Sequence, residues 1–153
     1  MEELGFSVDK TQYIKIIIGD ENFGIDIKYI ENIVRMQHIT RVPKSPEYIK
    51  GVINLRGDVI PVYSLRLRIG LEEIEPTKLT RIIIVKYDGE SIGFIVDEVN
   101  KVIELSSECI EKINHDNLDN TDNFISGVGK ESDGLISLLE ISEVLSDKSQ
   151  KEN

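Results

Sequence analysis

The side chains able to do chemistry are few and scattered. The chain holds two histidines, His38 and His115, and one cysteine, Cys109. A zinc site needs several such ligands at short spacings, and neither histidine sits in one. Cys109 lies in SSECIEKI, where no activating pattern surrounds it, so it reads as a small packed side chain. No serine reads as the nucleophile of a strand–turn–helix elbow. GVGKES (127–132) resembles a phosphate loop only superficially. The glycine such a loop needs five residues before Gly129 is Phe124, and the magnesium-binding hydroxyl expected after Lys130 is Glu131. DNLDNTDN (116–123) has the composition of a calcium loop, but Leu118 breaks the ligand spacing and the sharp-turn glycine is absent. Asp97 and Glu98 are neighbours on one extended segment, where adjacent side chains point apart, so they form no acid–base pair. The expectation is a protein that is not an enzyme and takes no metal or other cofactor.

One charged residue stands out for its setting. Arg56 lies within GVINLRGDVIPVYSLRLRIG (51–70), between two apolar runs that read as strands around a tight turn at Arg56-Gly57-Asp58. An arginine there is either solvated, or held rigid and offered to a partner.

The elements that would carry these residues are short. YIKIII (13–18) and FGID (23–26) read as strands about a turn at 19–22. In IKYIENIV (27–34) the apolar residues Ile27, Ile30 and Ile33 fall at three-residue steps, which predicts a short amphipathic helix or one irregular turn of it. VPKSPEYIKG (42–51) is a connector with one turn after Pro46. SLRLRIGL (64–71) is a helical turn stopped at Gly70, and 72–78 an acidic loop. TRIIIVKYDGESIGFIVDEV (80–99) is the clearest hairpin, turning at Asp88-Gly89, a pair that tolerates the positive φ of a primed turn. KVIEL (101–105) is a further strand, FISGVGKESDGLISLL (124–139) a second hairpin, and EISEVL (140–145) a helical turn. Many short strands with frequent turns indicate a mainly β barrel or sandwich.

Composition bounds the function classes. Of 153 residues, 40% are apolar, enough for a core, and the net charge is −10. Such a chain repels phosphate backbones, which disfavours nucleic acid and anionic membranes. Aromatics are 6% with no tryptophan, which argues against base stacking. The charge is uneven: residues 41–81 carry eight cations against five carboxylates, so +3, and the remainder −13. A locally basic region on an acidic body suits a protein partner with an acidic patch. One cysteine allows no internal disulfide and fits a reducing compartment. The start, MEELGFSVDKTQ, has no apolar core of a signal peptide, and no run approaches the roughly 20 apolar residues of a spanning helix. A cytoplasmic protein without direct membrane insertion is expected.

The segment ITRVPKSPEYIKGVINLRGDVIPVYSLRLRIG (39–70) resembles the hallmark region of CheW-type chemotaxis coupling proteins, with its proline connector, Gly-Val-x-Asn-Leu-Arg-Gly and Ile-x-Pro-Val-x-x-Leu-Arg. YIKIIIGDENFGIDI, IGFIVDEVNKVI and ISGVGKESDGLISLLEISEVL resemble other family hairpins, so the likeness runs from about residue 12 to 146, with tails at 1–11 and 147–153. The resemblance implies two small five-stranded SH3-like β-barrels sharing a core, with a few short helices. It implies a non-catalytic adaptor, free-standing rather than a kinase fragment; the alternatives are a similar scaffold in a non-chemotaxis receptor–kinase array or an SH3-like peptide-binding module. Its implied partners are the regulatory domain of a CheA-type histidine kinase and the cytoplasmic tips of methyl-accepting chemoreceptors, at membrane-associated arrays. By position the kinase contact falls on Ile14, Ile27, Ile30 and Ile33. The receptor contact falls on a groove near Ile30, Asn32, Arg56, Gly93, Val99 and Val102, with Gly93 admitting close approach. Some relatives have an acidic residue where Asn32 stands, which would pair with Arg56, and aspartate where Ser64 stands.

Overall fold

A computed structural model describes residues 9–113 and 124–146. His115, the 116–123 segment and most of both expected tails lie outside the described residues. In chain order the strands are β1 (Lys10–Ile18), β2 (Glu21–Asp26), β3 (Ile30–Arg35), β4 (Ile49–Leu55), β5 (Asp58–Ser64), β6 (Arg81–Tyr87), β7 (Glu90–Val96), β8 (Glu98–Ser106), β9 (Ile110–Lys112), β10 (Ile125–Glu131) and β11 (Gly134–Leu139). One-turn helices α1 (Leu65–Arg68) and α2 (Ile141–Val144) follow β5 and β11, and 3₁₀ turns precede β3 and β9. The first strand begins at Lys10, inside the segment expected to be tail.

Two sheets form, of order β8-β1-β2-β11-β10-β9 and β3-β6-β7-β5-β4. The mainly β, two-unit architecture matches the expectation, but the first unit has six strands rather than five. The extra strand is β9, three residues long, laid on β10. The two units share one plan: a leading hairpin (β1–β2, β6–β7) joined in parallel to a second hairpin (β11–β10, β5–β4). Each unit also takes an edge strand that follows the other unit's hairpin. β3 continues from β2 but pairs with β6, and β8 continues from β7 but pairs with β1. The units are therefore exchanged, not strung in series.

Glycine closes each barrel. In the second unit the chain after β3 returns to β4 through paired bonds between Thr40 and Val52, 2.9 and 2.8 Å long. Gly51, at φ +144°, sits beneath that crossing, and a Cβ there would lie 2.1 Å from the Thr40 carbonyl oxygen. Gly127 has the corresponding place in the first unit, where a Cβ would lie 2.9 Å from the Glu111 carbonyl oxygen. Only a residue without a side chain lets the backbones approach this closely.

Three apolar clusters result. Ile103, Leu105, Ile136 and Leu138 fill the first unit, and Ile53, Ile60, Val62, Ile82 and Ile84 the second. The largest lies between them, from Ile14, Ile16, Ile25, Ile83, Val85, Phe94, Ile141 and others. Phe94 is fully buried there, which for such a side chain is worth about 1.5–3 kcal/mol. Alternation along β6 explains the sharing. Ile82 and Ile84 point into the second unit, and Ile83 and Val85 into the common core.

Of the two readings of 27–34, the irregular turn is found, as a 3₁₀ turn at Ile27–Tyr29, while the amphipathic helix is corrected to strand β3 from Ile30. Its three-residue spacing has another cause. Ile30 faces Val85 and Ile33 faces Ile83, with a bulge at Glu31 between them. The extra residue shifts the pleat, so Ile30 and Ile33 share a face although three apart. A β-branched segment with an open ladder on β6 gains more from pairing than from one helical turn.

Candidate functional site

The hairpin turn that carries Arg56 is two residues long, since Leu55 pairs with Asp58. Arg56 and Gly57 have φ of 55° and 89°, and Asp88 and Gly89 in the other hairpin have 54° and 81°. Both φ values are positive, the geometry of a primed turn that matches strand twist. Asparagine, aspartate and glycine suit the first position. An arginine there pays roughly 1–2 kcal/mol in backbone strain. Arg56 is exposed, and among the described residues it has no carboxylate within 4 Å and no hydrogen bond. Asparagine at position 32 carries no charge and forms no ion pair with Arg56. Asn32 is half-buried, and its Oδ1 accepts a hydrogen bond from the Ile33 amide at 2.8 Å.

From this turn an apolar face runs along β5. Val59, Pro61 and Tyr63 alternate onto the same side, and Val59 is 65% exposed. The face descends into a cleft of about 340 Å³ between the units, lined by Pro61, Tyr63, Tyr87 and Ile92 of the second and Ser142 and Leu145 of the first. Asp88 and Glu90 form its acidic lip. Its floor is rigid. Tyr63 meets Phe94 edge-on at 5.9 Å and Tyr48 at 5.4 Å, and Tyr29 meets Tyr87 at 5.8 Å.

The remaining predicted residues divide into two groups. Ile14, Ile27, Ile30, Ile33 and Val99 are brought together, but by the common core: Ile14 is buried in it, and the other four pack half-buried against it. Val102 lies across the ladder from Ile14 and is 50% exposed. Gly93 is not on this surface. It is buried, and a Cβ there would lie 2.8 Å from the Ile82 Cγ2 inside the second unit. Packing within the unit accounts for its missing side chain.

Two arginines of SLRLR hold the units in register. The Arg66 guanidinium donates to Asp97 through Nε (2.9 Å to Oδ1) and Nη2 (2.7 Å to Oδ2), and through Nη1 to the Glu72 carbonyl at 2.9 Å. The Gly19 amide, in the β1–β2 turn, donates to the same Asp97 Oδ2 at 2.8 Å. Burial pushes the Asp97 carboxyl up, but the hydrogen bonds from Arg66 and Gly19 and the Arg66 charge outweigh it and leave the pKa lowered. The same bonds to Asp97 raise Arg66. Arg68 stacks over Tyr48 (4.4 Å) and Phe124 (4.9 Å). It also caps the end of α2 through the Val144 carbonyl (2.7 Å) and the Ser146 carbonyl. Ser64 explains itself: its Oγ accepts from the Leu67 amide at 3.2 Å, capping α1 as an aspartate would.

No catalytic set assembles among the described residues. The spelling Gly-x-Ser-x-Gly does occur once, at Gly89–Gly93, but Ser91 stands in strand β7 with more strand after it. Its hydroxyl donates to Glu31 Oε1 at 2.8 Å. No group of three histidine, cysteine or carboxylate side chains is placed to hold a metal ion among the described residues.

Comparison with known proteins agrees with this architecture. The CheW-like domain family model matches residues 12–149. The chain is 38% identical to the chemotaxis protein CheW of Helicobacter pylori over 134 residues, 88% of this chain and 81% of the relative. It is 37% identical to the CheW of Bacillus subtilis over 138 residues, 90% and 88% of the two chains. The scaffolding protein TtCheW from Thermoanaerobacter tengcongensis superposes with a TM-score of 0.79 at 34% identity, covering 86% of this chain and 90% of that one. The exchanged two-unit fold and this likeness over nearly the whole chain place it in the CheW-like domain family.

Proposed function

We propose that this chain is a non-catalytic adaptor coupling a CheA-type histidine kinase to the cytoplasmic tips of chemoreceptors. The named relatives are chemotaxis and scaffolding proteins, which supports the class of function. The carrying observation is the apolar face that climbs from the inter-unit cleft to Val59 and ends at the strained Arg56, which has no ion-pair partner among the described residues. A receptor tip is a helical hairpin, and a helix docks through spaced apolar anchors into such a groove. Backbone strain held at an exposed charge is expected where the charge has a task. In this reading Arg56 contacts the receptor, beside Val59 and Pro61. The half-buried edges of Ile27, Ile30 and Ile33 offer the kinase an apolar rim.

The adaptor works in the cytoplasm beneath receptor arrays. Among the described residues no helix is long and apolar enough to cross a membrane. The test is reconstitution with a CheA-type kinase and receptor fragments in a defined scaffold. Kinase activity that rises only when this chain, kinase and receptor are all present supports the reading. Equal activity without the chain rejects it.

A further inference from the structure

The Arg81 end of the second unit carries a different surface. Arg81 and Tyr87 stand at opposite ends of β6, about 20 Å apart at the rise of a strand, so this surface is distinct from the inter-unit cleft. Arg35 on β3 pairs directly with Arg81 on β6. Like charges placed opposite each other on neighbouring strands destabilise a sheet. Among the described residues, neither they nor nearby Lys78 have a carboxylate within 4 Å. All three cations line one cleft of about 410 Å³ with Met36, Thr77 and Thr80, and no acid lines it. Arg81 is aimed, since its Nη1 donates to the Lys78 and Thr80 carbonyls, each at 2.8 Å.

Met36 and Thr80 also line an adjoining apolar pocket of about 150 Å³, walled by Ile39, Ile74, Pro76 and Ile95. A dry cavity of about that size accepts one benzene ring. Its carboxylates are already engaged, Asp97 by Arg66 and Glu73 by Lys50. Beyond Lys50 and Glu73 a further cleft is lined by Arg41, Lys44 and Glu47, all exposed and without ion pairs among the described residues. An acid-free cationic cleft on one side and a mixed-charge cleft on the other thus flank a pocket of one-ring size, on a protein of net charge −10.

We propose that this end docks an acidic peptide segment of a partner protein, its carboxylates on Arg35, Lys78 and Arg81 and one bulky apolar side chain in the Met36–Ile74 pocket. A peptide with a few charges suits it better than a phosphate polymer, which the acidic body repels. The proposal does not rest on the coupling role above.

The test is an NMR titration of the ¹⁵N-labelled full chain with the capped peptide Glu-Glu-Phe-Glu-Glu. Controls are Gln-Gln-Phe-Gln-Gln, Glu-Glu-Gly-Glu-Glu, inorganic phosphate and phosphatidylserine vesicles. The expected result is shifts centred on Met36, Thr80 and Ile95 with the first peptide, and at least about tenfold weaker binding for both control peptides or at high salt. Arg35→Glu should abolish binding without unfolding, because it turns a like-charge pair into an attractive one. Lys78→Glu, on an exposed loop, is the second variant. Shifts at the Tyr63–Tyr87 cleft instead, no shifts, equal response to phosphate alone, binding to vesicles, or unchanged binding by folded Arg35→Glu and Lys78→Glu would each overturn the proposal.

Discussion

Arg66 and Asp97 form a two-point ion pair that joins three separate segments. Arg66 belongs to α1 of the second unit, Asp97 to the crossover between β7 and β8, and the Gly19 amide that shares Asp97 to the first unit's opening turn. Both side chains are largely buried, 17% and 20% exposed. Charge-assisted, bidentate pairs of this kind are the stronger hydrogen bonds of proteins. Asp97→Asn should therefore cost about 1–3 kcal/mol, read as a lower Tm. The pH dependence has a sign. A carboxyl lowered by folding stabilises the protein above its unfolded value, near 3.8, and that contribution is lost as pH falls through the folded value. Wild type should lose Tm steeply below about pH 4, and Asp97→Asn less steeply. Parallel acid limbs would show that the pair does not differ between folded and unfolded chains.

Gly51→Ala should destabilise more than Gly127→Ala or Gly89→Ala. The new Cβ meets the Thr40 carbonyl at 2.1 Å, an atom fixed by the two closing hydrogen bonds. A loss above about 2 kcal/mol is expected. Gly127→Ala, with its carbonyl at 2.9 Å, should cost less. Gly89→Ala, at φ +81° with nothing within 4 Å, should cost only the turn strain, about 1 kcal/mol. Denaturant midpoints of the three variants give the order directly.

Ile33→Asp should unfold the protein or come close to it. The side chain packs against the common core opposite Ile83, itself fully buried, and an unpaired carboxylate there costs several kcal/mol. A cooperative melt near that of wild type would mean the side chain is surface, as a pure kinase contact requires.

The sequence made the local pieces readable and hid what joins them. Asp88-Gly89 and Arg56-Gly57 announced their hairpins because a two-residue primed turn has demanding chemistry. The α1 turn was legible from its stop at Gly70. The bulge at Glu31 was not, because an extra residue in a strand imitates the three-residue step of a helix. Nor did spacing reveal the strand exchange, which depends on which ladder β3 and β8 find. The latch residues escaped for the same reason. Arg66 reaches Asp97 across 31 positions and Arg68 reaches Val144 across 76, distances at which no local pattern operates. The packing that requires a glycine at position 93, with Ile82 beneath it, appears only once β6 and β7 pair.

In the proposed coupling role Arg56 is kept for a partner at the expense of the fold. Arg56→Asn isolates it, since asparagine suits the positive φ of 55° and removes the cation. Its melting temperature should equal or slightly exceed that of wild type, by up to about 1 kcal/mol of added stability. Kinase binding should persist, while receptor-dependent kinase activation in the reconstituted three-part system should fall to the level seen without this chain. Full activation by a well-folded Arg56→Asn would contradict the account and leave Arg56 as a solvated charge on a turn.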